Sequence, residues 1–346
     1  MISRTRIDRG VVAWLLFMSA MVFAMIVIGG ITRLTESGLS MVEWRPLIGF
    51  WPPTNDAEWA RVFELYKQTP EFQKANHWMT AEDFKTIFWW EFSHRVWGRA
   101  IGVVFLLPFL FFLSVGRLKG WLFGRSILMF LLGGLQGGIG WWMVKSGLVD
   151  DPTVSQYRLA AHLAMAMLIL GVMLWTVMDI LSGREGDHDA PDGLSAHAVL
   201  VFFLVSLTIL AGAFVAGLDA GFIYNTFPLM DGRLVPVDYG ALSPWWLNPL
   251  ENEAAVQFNH RLLAALTLAL ALLLWLRSIA AGAEGRARSA GRAVAFAVTF
   301  QFALGVATLL LEVPVWLGAL HQAGAVVLFM ATLWMLHAVQ SPRFMT

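Results

Sequence analysis

Four histidines occupy similar positions in four separate apolar segments of this chain: His94, His162, His260 and His321. The first and third lie in closely related pentapeptides, EFSHR at 91–95 and QFNHR at 257–261. An ionisable side chain inside a membrane helix is costly and usually faces a functional interior. Two histidines on neighbouring helices can ligate a haem iron from both sides. The pattern therefore predicts two haem sites, one formed by His94 and His162 and the other by His260 and His321.

Other metal sites fit these residues poorly. A mononuclear zinc site needs three or four histidine, cysteine or carboxylate ligands in one place, whereas each predicted site offers two histidines. The chain has no cysteine, which excludes a thiolate haem ligand, an iron–sulfur cluster and a disulfide relay built on this chain. The remaining histidines are interpreted as ordinary solvated or interfacial residues: His77, His188, His197 and His337.

An arginine follows the histidine in both pentapeptides. Haem carries two propionates, and a guanidinium pairs with a carboxylate through two parallel hydrogen bonds. Arg95 and Arg261 are therefore predicted to bind propionates, with Arg33 and Arg99 as further candidates in the first half. The alternative is that these side chains extend to the lipid headgroups.

The two pentapeptides differ in their first residue. Glu91 lies one helical turn before His94 and on the same helix face, and Gln257 holds the matching position in the second half. A carboxylate takes up protons and stabilises developing positive charge, whereas an amide does not take up protons. The difference predicts a reactive first site and a redox or structural second site. The alternative is that Glu91 is simply the ion partner of Arg95 or Arg33.

The composition places these histidines in membrane helices. Hydrophobic residues make up 58% of the 346-residue chain and charged residues 14%, and the mean hydropathy is +0.65. These values lie far outside the range of a soluble domain. Segments of about twenty apolar residues, the length that spans a bilayer, predict eight transmembrane helices near residues 12–33, 87–115, 121–144, 156–181, 196–217, 254–281, 291–311 and 315–338.

The basic residues of the short connections predict the orientation. They cluster in the N-terminal tail, the second-to-third connection and the sixth-to-seventh connection: Arg4, Arg6, Arg9, Arg117, Lys119, Arg125, Arg277, Arg286, Arg288 and Arg292. Eight alternating helices place all of these on one side, which the positive-inside rule makes cytoplasmic together with both termini. The chain shows no import signal, so we expect a bacterial inner membrane. A net charge of zero gives no reason to expect nucleic acid.

The chain is an internal duplication. Gly29 matches Gly212 at an offset of 183 residues, and Gln136 matches Gln301 at an offset of 165. His94 matches His260 at 166, and His162 matches His321 at 159. Each half has an even number of helices, so both enter the membrane from the same side. The predicted fold is two tandem, parallel four-helix bundles, 1–182 with a long outer connection at 34–86, and 183–346. The histidines then lie about seven residues into their helices, roughly 10 Å below the outer boundary.

Several strings in the chain resemble the haem A synthases, the CtaA family. They are GGITRLTESGLS at 29–40, WRP at 44–46, GFWPP at 49–53, EFSHR at 91–95, YNTFPLMDG at 224–232, QFNHR at 257–261 and HQ at 321–322. The resemblance covers essentially the whole chain in order. It implies conversion of haem O to haem A for terminal cytochrome oxidases, by oxidation of the C8 methyl group to a formyl group.

The resemblance also implies roles for the site residues. His94 and His162 would bracket the iron of the substrate haem O, with Glu91 acting in the oxidation, and His260 and His321 would ligate a resident haem b. Implied partners are haem O synthase, cytochrome oxidase assembly factors and membrane lipid. Outward-facing small residues also allow a homo-oligomer. Some family members carry a cysteine pair in the first outer loop, so this chain resembles the cysteine-free branch.

Two other functions compete with this hypothesis. A di-haem b-type electron carrier would use the same histidines, but it has no need for the difference between Glu91 and Gln257. A transporter built from repeats usually interrupts its helices near mid-membrane, whereas these histidines are predicted to lie in the outer half of the bilayer.

Overall fold

The chain folds into helices joined by turns and loops. The computed structural model describes residues 8–43, 50–148, 152–182 and 193–340. Its α-helices are α1 Arg9–Leu34, α2 Asp56–Tyr66, α3 Pro70–Lys74, α4 Ala81–Ser114, α5 Trp121–Ser146, α6 Gln156–Ser182, α7 Leu194–Gly217, α8 Asn248–Glu251, α9 Glu253–Ala280, α10 Gly285–Leu310 and α11 Val315–Val339. Eight of these described helices are long and apolar enough to cross a membrane. The predicted all-α, multi-pass membrane fold is confirmed.

Two of the predicted helix starts were wrong. Helix α4 begins at Ala81 rather than 87, because Thr80 and Asp83 form a reciprocal capping box. Helix α10 begins at Gly285 rather than 291. Both helices open with polar turns that a hydropathy window does not include. His94 therefore follows its helix start by thirteen residues, whereas the other three histidines lie six or seven residues into theirs.

Contacts among the spanning helices divide them into two groups of four, an arrangement consistent with the predicted tandem bundles. Helices α1, α4, α5 and α6 pack in a ring that we call the N-terminal bundle, and α7, α9, α10 and α11 form the C-terminal bundle. The bundles meet where α1 and α6 pack against α7 and α11. One apolar core runs through this contact. The predicted boundary at 182/183 adjoins residues 183–192, which lie outside the described residues, as do Arg4, Arg6, His188 and the motif residues 44–49.

Ionic contacts connect the bundles at both ends. At the end that carries the long 35–80 connection, which we call the loop end, Arg33 Nη2 lies 2.8 Å from Asp219 Oδ2 of the other half. At the opposite, terminal end, Asp179 of α6 accepts hydrogen bonds from Arg125 of α5 at 2.5 Å and pairs with His337 of α11 at 3.0 Å. The halves are thus joined at two levels.

Two of the histidines interpreted as solvated or interfacial are largely buried. His337 has a side chain only 9% exposed, because it packs against Asp179 and edge-on against Trp175. His197 is also buried, and its Nδ1 lies 3.2 Å from Arg277 Nη1. Neither the ionic network nor this pair was visible in the sequence, since the partners lie 54 or more residues apart. His77 is exposed, as predicted.

The loop end of the N-terminal bundle carries a small folded cap. Helices α2 and α3 pack onto the first turns of α4 through one aromatic cluster: Phe63, Tyr66, Phe84, Ile87, Phe88 and Phe92. Asn55 and Thr69 cap α2 and α3 with their side chains, which fixes the two short helices where intrinsic helix propensity would not. The cap thereby holds the 37–43 segment against α4.

Candidate functional site

The structure brings His94 and His162 together in the N-terminal bundle. His94 lies on α4 and His162 on α6, near enough for their charges to interact. Each imidazole rests against a glycine of an adjacent helix. A Cβ atom on Gly29 would lie 3.2 Å from His94 Nε2, and one on Gly140 would lie 2.9 Å from His162 Cε1. Both rings occupy space that a side chain at these positions would fill.

The C-terminal bundle repeats this arrangement. His260 of α9 and His321 of α11 interact electrostatically, so the predicted second pair is also formed. A Cβ atom on Gly212 would lie 3.1 Å from His260 Cε1, and one on Gly305 would lie 2.7 Å from His321 Cε1. The glycines match those of the first half at offsets of 183 and 165. The two halves thus share the glycine that contacts each histidine ring as well as the histidine itself.

A glutamine accompanies the second histidine of each pair, and its role was missed by sequence reasoning. Gln136 Nε2 lies 3.4 Å from His162 Nε2 and donates to the His162 carbonyl at 3.2 Å. Gln301 Nε2 lies 3.0 Å from His321 Nδ1 and donates to the His321 carbonyl at 2.9 Å. These contacts hold the backbone carbonyl and lie against one ring nitrogen of each histidine. The match of the glutamines at offset 165 was the available signal, although it was used only to set the repeat register.

The neighbouring glutamine, Gln322, connects the bundles instead. Its Nε2 donates to the Ile26 carbonyl of α1 at 2.9 Å. A Cβ atom on Gly30 would lie 1.8 Å from Gln322 Oε1, so a larger residue there would force the Gln322 side chain to move. Two adjacent glycines of α1 thus contact different side chains. Gly29 lies against the His94 ring, and Gly30 lies against Gln322 of the other half.

The donor atoms fit a haem iron. Nδ1 of both His162 and His260 is buried without a hydrogen-bond partner, and all four histidines are partly accessible. Among the described residues, no three or more His, Cys, Asp or Glu side chains form a group that could hold a metal ion. Two neighbouring imidazoles in each bundle are the donor set that a haem iron takes, whereas an all-protein metal site needs three or four ligands.

Crowding one ring should displace it. We expect Gly305→Ala to force His321 out of position, at a cost of roughly 1–3 kcal/mol, and to lower haem occupancy about fivefold or more. Gly102→Ala on α4 is the matched control, because a Cβ atom there meets nothing within 4 Å. Haem-to-protein ratios from absorption spectra measure both variants. Equal occupancy in both would show that the glycine seat does not position the ligand.

Glu91 ties the loop end of α4 to the preceding segment. Its Oε2 accepts hydrogen bonds from Ser40 Oγ and the Met41 amide, both at 2.7 Å. Its Oε1 accepts from Arg95 Nη2 at 2.5 Å, and the residue is only 3% exposed. The predicted ion pair with Arg95 is therefore formed. Every contact favours a buried, ionised carboxylate held one turn from His94.

Gln257 makes the corresponding connection with opposite polarity. Its Nε2 donates to the Ala220 and Ile223 carbonyls at 2.7 and 2.5 Å, and its Oε1 accepts from Arg261 at 2.9 Å. The Oε2 atom of Glu91 faces two donors of its loop, whereas the Nε2 atom of Gln257 faces two acceptors of its loop. The backbone of each loop thus accounts for the residue type, independently of any difference in chemistry between the sites.

The predicted propionate-binding arginines contact the loops in this structure. Arg95 donates to the Met41 carbonyl at 2.9 Å, and Arg261 donates to the Tyr224 and Thr226 carbonyls at 2.5 and 2.8 Å. Arg33 pairs with Asp219 across the bundle contact, and the guanidinium carbon of Arg99 lies 5.5 Å above the Phe50 ring. Arg261 Nε is buried without a partner, so this side chain retains a donor for a further acceptor.

The two bundles differ in how tightly they close. No described residue of α5 beyond Met129 is buried, and α5 contacts α4 only sparsely. Helix α10, its counterpart, buries residues along its whole length and packs closely on α9. A Cβ atom would meet nothing within 4 Å at four glycines of α5: Gly133, Gly134, Gly137 and Gly138. At offset 165 the second half has Val298, Thr299, Phe302 and Ala303. Helix α5 is therefore loosely packed against α4 in the N-terminal bundle.

The chain is similar to known proteins over almost its whole length. Residues 12–333 match the COX15-CtaA family, described as cytochrome oxidase assembly protein. The chain is 47% identical over 336 residues to a haem A synthase of Nitrosospira multiformis, covering 96% of this chain and 94% of that protein. It is 49% identical over 334 residues to one of Paramagnetospirillum magneticum, covering 95% and 93%, and 47% identical over 324 residues to one of Parvibaculum lavamentivorans, covering 94% and 92%. This chain therefore belongs to the COX15-CtaA family.

Proposed function

We propose that this chain is a haem A synthase, an oxidoreductase that converts the C8 methyl group of haem O to a formyl group. The observation that carries the proposal is the repeated site: two pairs of facing imidazoles, each ring seated on a glycine. The identity of 47–49% with three haem A synthases over more than nine-tenths of this chain gives the activity.

The N-terminal bundle, residues 1–182, is proposed to take the substrate. A substrate must enter and its product must leave, and the sparse packing beside α5 leaves a lateral opening for a flat macrocycle. His94 and His162 would be the axial ligands of the haem O iron. The closed C-terminal bundle, residues 183–346, suits a group that stays bound.

That resident group is proposed to be haem b, which His260 and His321 would hold through its iron. When bound, it supplies an iron centre for one-electron transfer. The chain's own residues orient these ligands: Gly212 and Gly305 fix the ring positions, and Gln301 holds His321 from its Nδ1 side. Arg261, with its unpartnered Nε, is proposed to reach a propionate, and Arg95 and Arg33 are the corresponding groups at the substrate.

Glu91 is proposed to act in the oxidation through its charge. Its carboxylate lies one turn from His94 and is buried, so the field of its negative charge is weakly screened. Oxidation of the C8 methyl group transfers electrons from its carbon to an electron acceptor. The carbon would then carry partial positive charge, which a nearby carboxylate would stabilise. Ser40, Met41 and Arg95 hold the carboxylate in place.

The proposed setting is a bacterial inner membrane with both termini in the cytoplasm. Most of the described arginines and lysines of the short connections lie at the terminal end, which the positive-inside rule makes cytoplasmic. The loop end, the cap and both histidine pairs then face the extracytoplasmic side. The proposed partners are haem O synthase, which supplies the substrate, and the factors that assemble cytochrome oxidase.

Extraction of the bound haems tests the activity. We expect the full-length protein, co-expressed with a source of haem O, to yield haem A or its hydroxylated precursor on chromatography of the acid-extracted haems, in addition to haem b. The protein with both His94 and His162 replaced by alanine is the control and should yield haem b alone. If the unaltered protein also yields only haem b, it is a di-haem electron carrier.

A further inference from the structure

The side of α5 that faces α4 changes character along the helix. In the terminal half, the Phe130 ring stacks on Phe105 and Phe109 of α4, with ring centroids 6.3 and 6.4 Å apart. Toward the loop end, the same face of α5 continues with Gly133 and Gly137. A Cβ atom at either glycine would meet nothing within 4 Å. The contact between these two helices, which we call the α4–α5 seam, is therefore filled at Phe130 and unfilled at the two glycines.

The unfilled part of the α4–α5 seam lies beside the first histidine pair. Gly137 lies between Gln136 and Gly140 in the chain, and both of these residues adjoin the side chain of His162. No described residue of α5 beyond Met129 is buried, so the side chains of this helix do not fill the seam at the level of His162. A group held at His162 thus lies next to a gap between two helices that face the lipid.

The corresponding seam of the C-terminal bundle, between α9 and α10, is filled. Gly133 and Gly137 correspond at offset 165 to Val298 and Phe302 of α10. Val298 is only 2% exposed, and α10 packs closely on α9. Phe302 therefore occupies in this α9–α10 seam the position that Gly137 leaves empty in the other.

An aromatic contact completes the closure of the α9–α10 seam. The Phe302 ring packs edge-on against Phe227 of the outer loop, with ring centroids 6.1 Å apart. The residue before Phe227 is held to α9, because Arg261 donates to the Thr226 carbonyl at 2.8 Å. The outer loop thus spans the seam from α9 to α10. Phe302 follows Gln301 in the chain, so this closure lies beside the second histidine pair.

The two proposed haems differ in a substituent that such a seam would admit or exclude. Haem O carries a long isoprenoid chain, attached through a hydroxyethyl group, at the ring position where haem b carries a small vinyl group. The chain is apolar, so an apolar helix surface or the lipid is its favourable environment. A bundle that encloses the macrocycle must therefore leave a gap through which the chain passes, whereas a bundle that holds haem b needs none.

We propose that Gly137 and Phe302 determine which haem each bundle takes. Gly137 leaves the α4–α5 seam wide enough for the isoprenoid chain of haem O, which lies there with its end toward the lipid. Phe302 fills the α9–α10 seam and excludes that chain, so the C-terminal bundle takes a haem with short substituents. This inference rests on the proposed function, because it assigns haem O to the first histidine pair and haem b to the second.

Binding titrations of the full-length protein, expressed without a source of haem O, test Gly137. In Gly137→Phe we expect haem O to bind about tenfold more weakly or worse, as expected when a bulky side chain is forced into an occupied space. Added haem b, which lacks the chain, should bind the first pair as it does in the unaltered protein. Gly138→Phe is the matched control, because Gly138 shares a helix face with the exposed Leu131 and Leu135. It should bind both haems normally.

The reciprocal experiment tests Phe302 in the other bundle. In full-length protein with His94 and His162 replaced by alanine, and co-expressed with a source of haem O, only the second pair holds haem. Adding Phe302→Gly should make haem O appear beside haem b on chromatography of the extracted haems. Phe300→Gly is the matched control, since it makes the same change on α10 at a side chain that is 55% exposed. It has a similar cost in helix propensity and should yield haem b alone.

Three results would overturn the inference. The first is a Gly137→Phe protein that binds haem O and added haem b equally weakly, because the substitution would then act on the macrocycle or the fold. The second is a Phe302→Gly protein that still contains haem b alone. The third is haem O in the C-terminal bundle while Phe302 is intact.

Failure of the proposed function gives a different result. If the unaltered protein binds haem O at the first pair but makes no haem A, the activity fails and the binding measurements still decide the roles of Gly137 and Phe302. If the unaltered protein binds no haem O at the first pair, the proposed substrate site fails and the inference fails with it.

Discussion

Replacing His260 or His321 by alanine should empty the C-terminal bundle of its resident haem. Each residue is proposed to supply one of the two side chains that would hold the haem iron, and each ring is positioned against a glycine of a neighbouring helix. Changing even the hydrogen-bond partner of a metal ligand costs about 10–100-fold in affinity, so losing the ligand should lower haem b at least tenfold. The haem b content of purified protein, from pyridine haemochrome spectra, measures the effect.

The control for this prediction is the other pair. Alanine at His94 or His162 should leave haem b largely in place and remove binding of haem O, because those residues belong to the other bundle. The bis-imidazole absorption and electron paramagnetic resonance signals should follow haem b in every variant. Loss of haem b on replacing His94, with retention on replacing His260, would reverse the assignment of the two bundles.

Replacing Glu91 by glutamine should lower haem A formation by about a hundredfold, the usual effect of removing one preorganised charge or donor at a reacting centre. The amide removes the negative charge beside His94. It also turns an N–H group toward either the Met41 amide or the Arg95 guanidinium, which both donate. Product analysis by chromatography and haem content by spectroscopy are measured on the same sample. Haem b in the distant bundle should be unchanged.

Two variants separate the charge of Glu91 from its role in holding the loop. Ser40→Ala removes one hydrogen bond to Glu91 but keeps the charge, so product formation should fall only modestly. Gln257→Glu places a carboxylate against two carbonyls in the other half, so it should loosen that loop and expose it to proteases. If Ser40→Ala stops the reaction as completely as Glu91→Gln, the loop connection, rather than the charge, is what the reaction needs.

Most of the fold was predictable because membrane helices are defined by a property of consecutive residues. Apolar length located all eight spans, and the repeat gave the four-helix grouping. The two boundary errors have one cause: α4 and α10 extend beyond the apolar stretch, and their starts depend on local features such as the Thr80–Asp83 capping box. Hydropathy contains no information about such turns.

The site was predictable where the duplication repeated it, and not elsewhere. Two copies of one pentapeptide made the histidine pairs recognisable. The partners of Glu91 were not, because Ser40 lies 51 residues away and reaches α4 only once the cap has folded. The same holds for Arg33 and Asp219, which are 186 residues apart. Long-range polar contacts depend on loop conformation, which sequence periodicity does not predict.

The contact between Gly30 and Gln322 limits how the two halves of this gene can diverge. Gln322 follows a proposed iron ligand of one half, and Gly30 follows the glycine that seats a proposed ligand of the other. A larger residue at position 30 would displace the Gln322 side chain from the Ile26 carbonyl, unless position 322 shortens at the same time. Substitutions at these two positions should therefore occur as pairs among descendants of the original duplication, even where the surrounding helices have drifted freely.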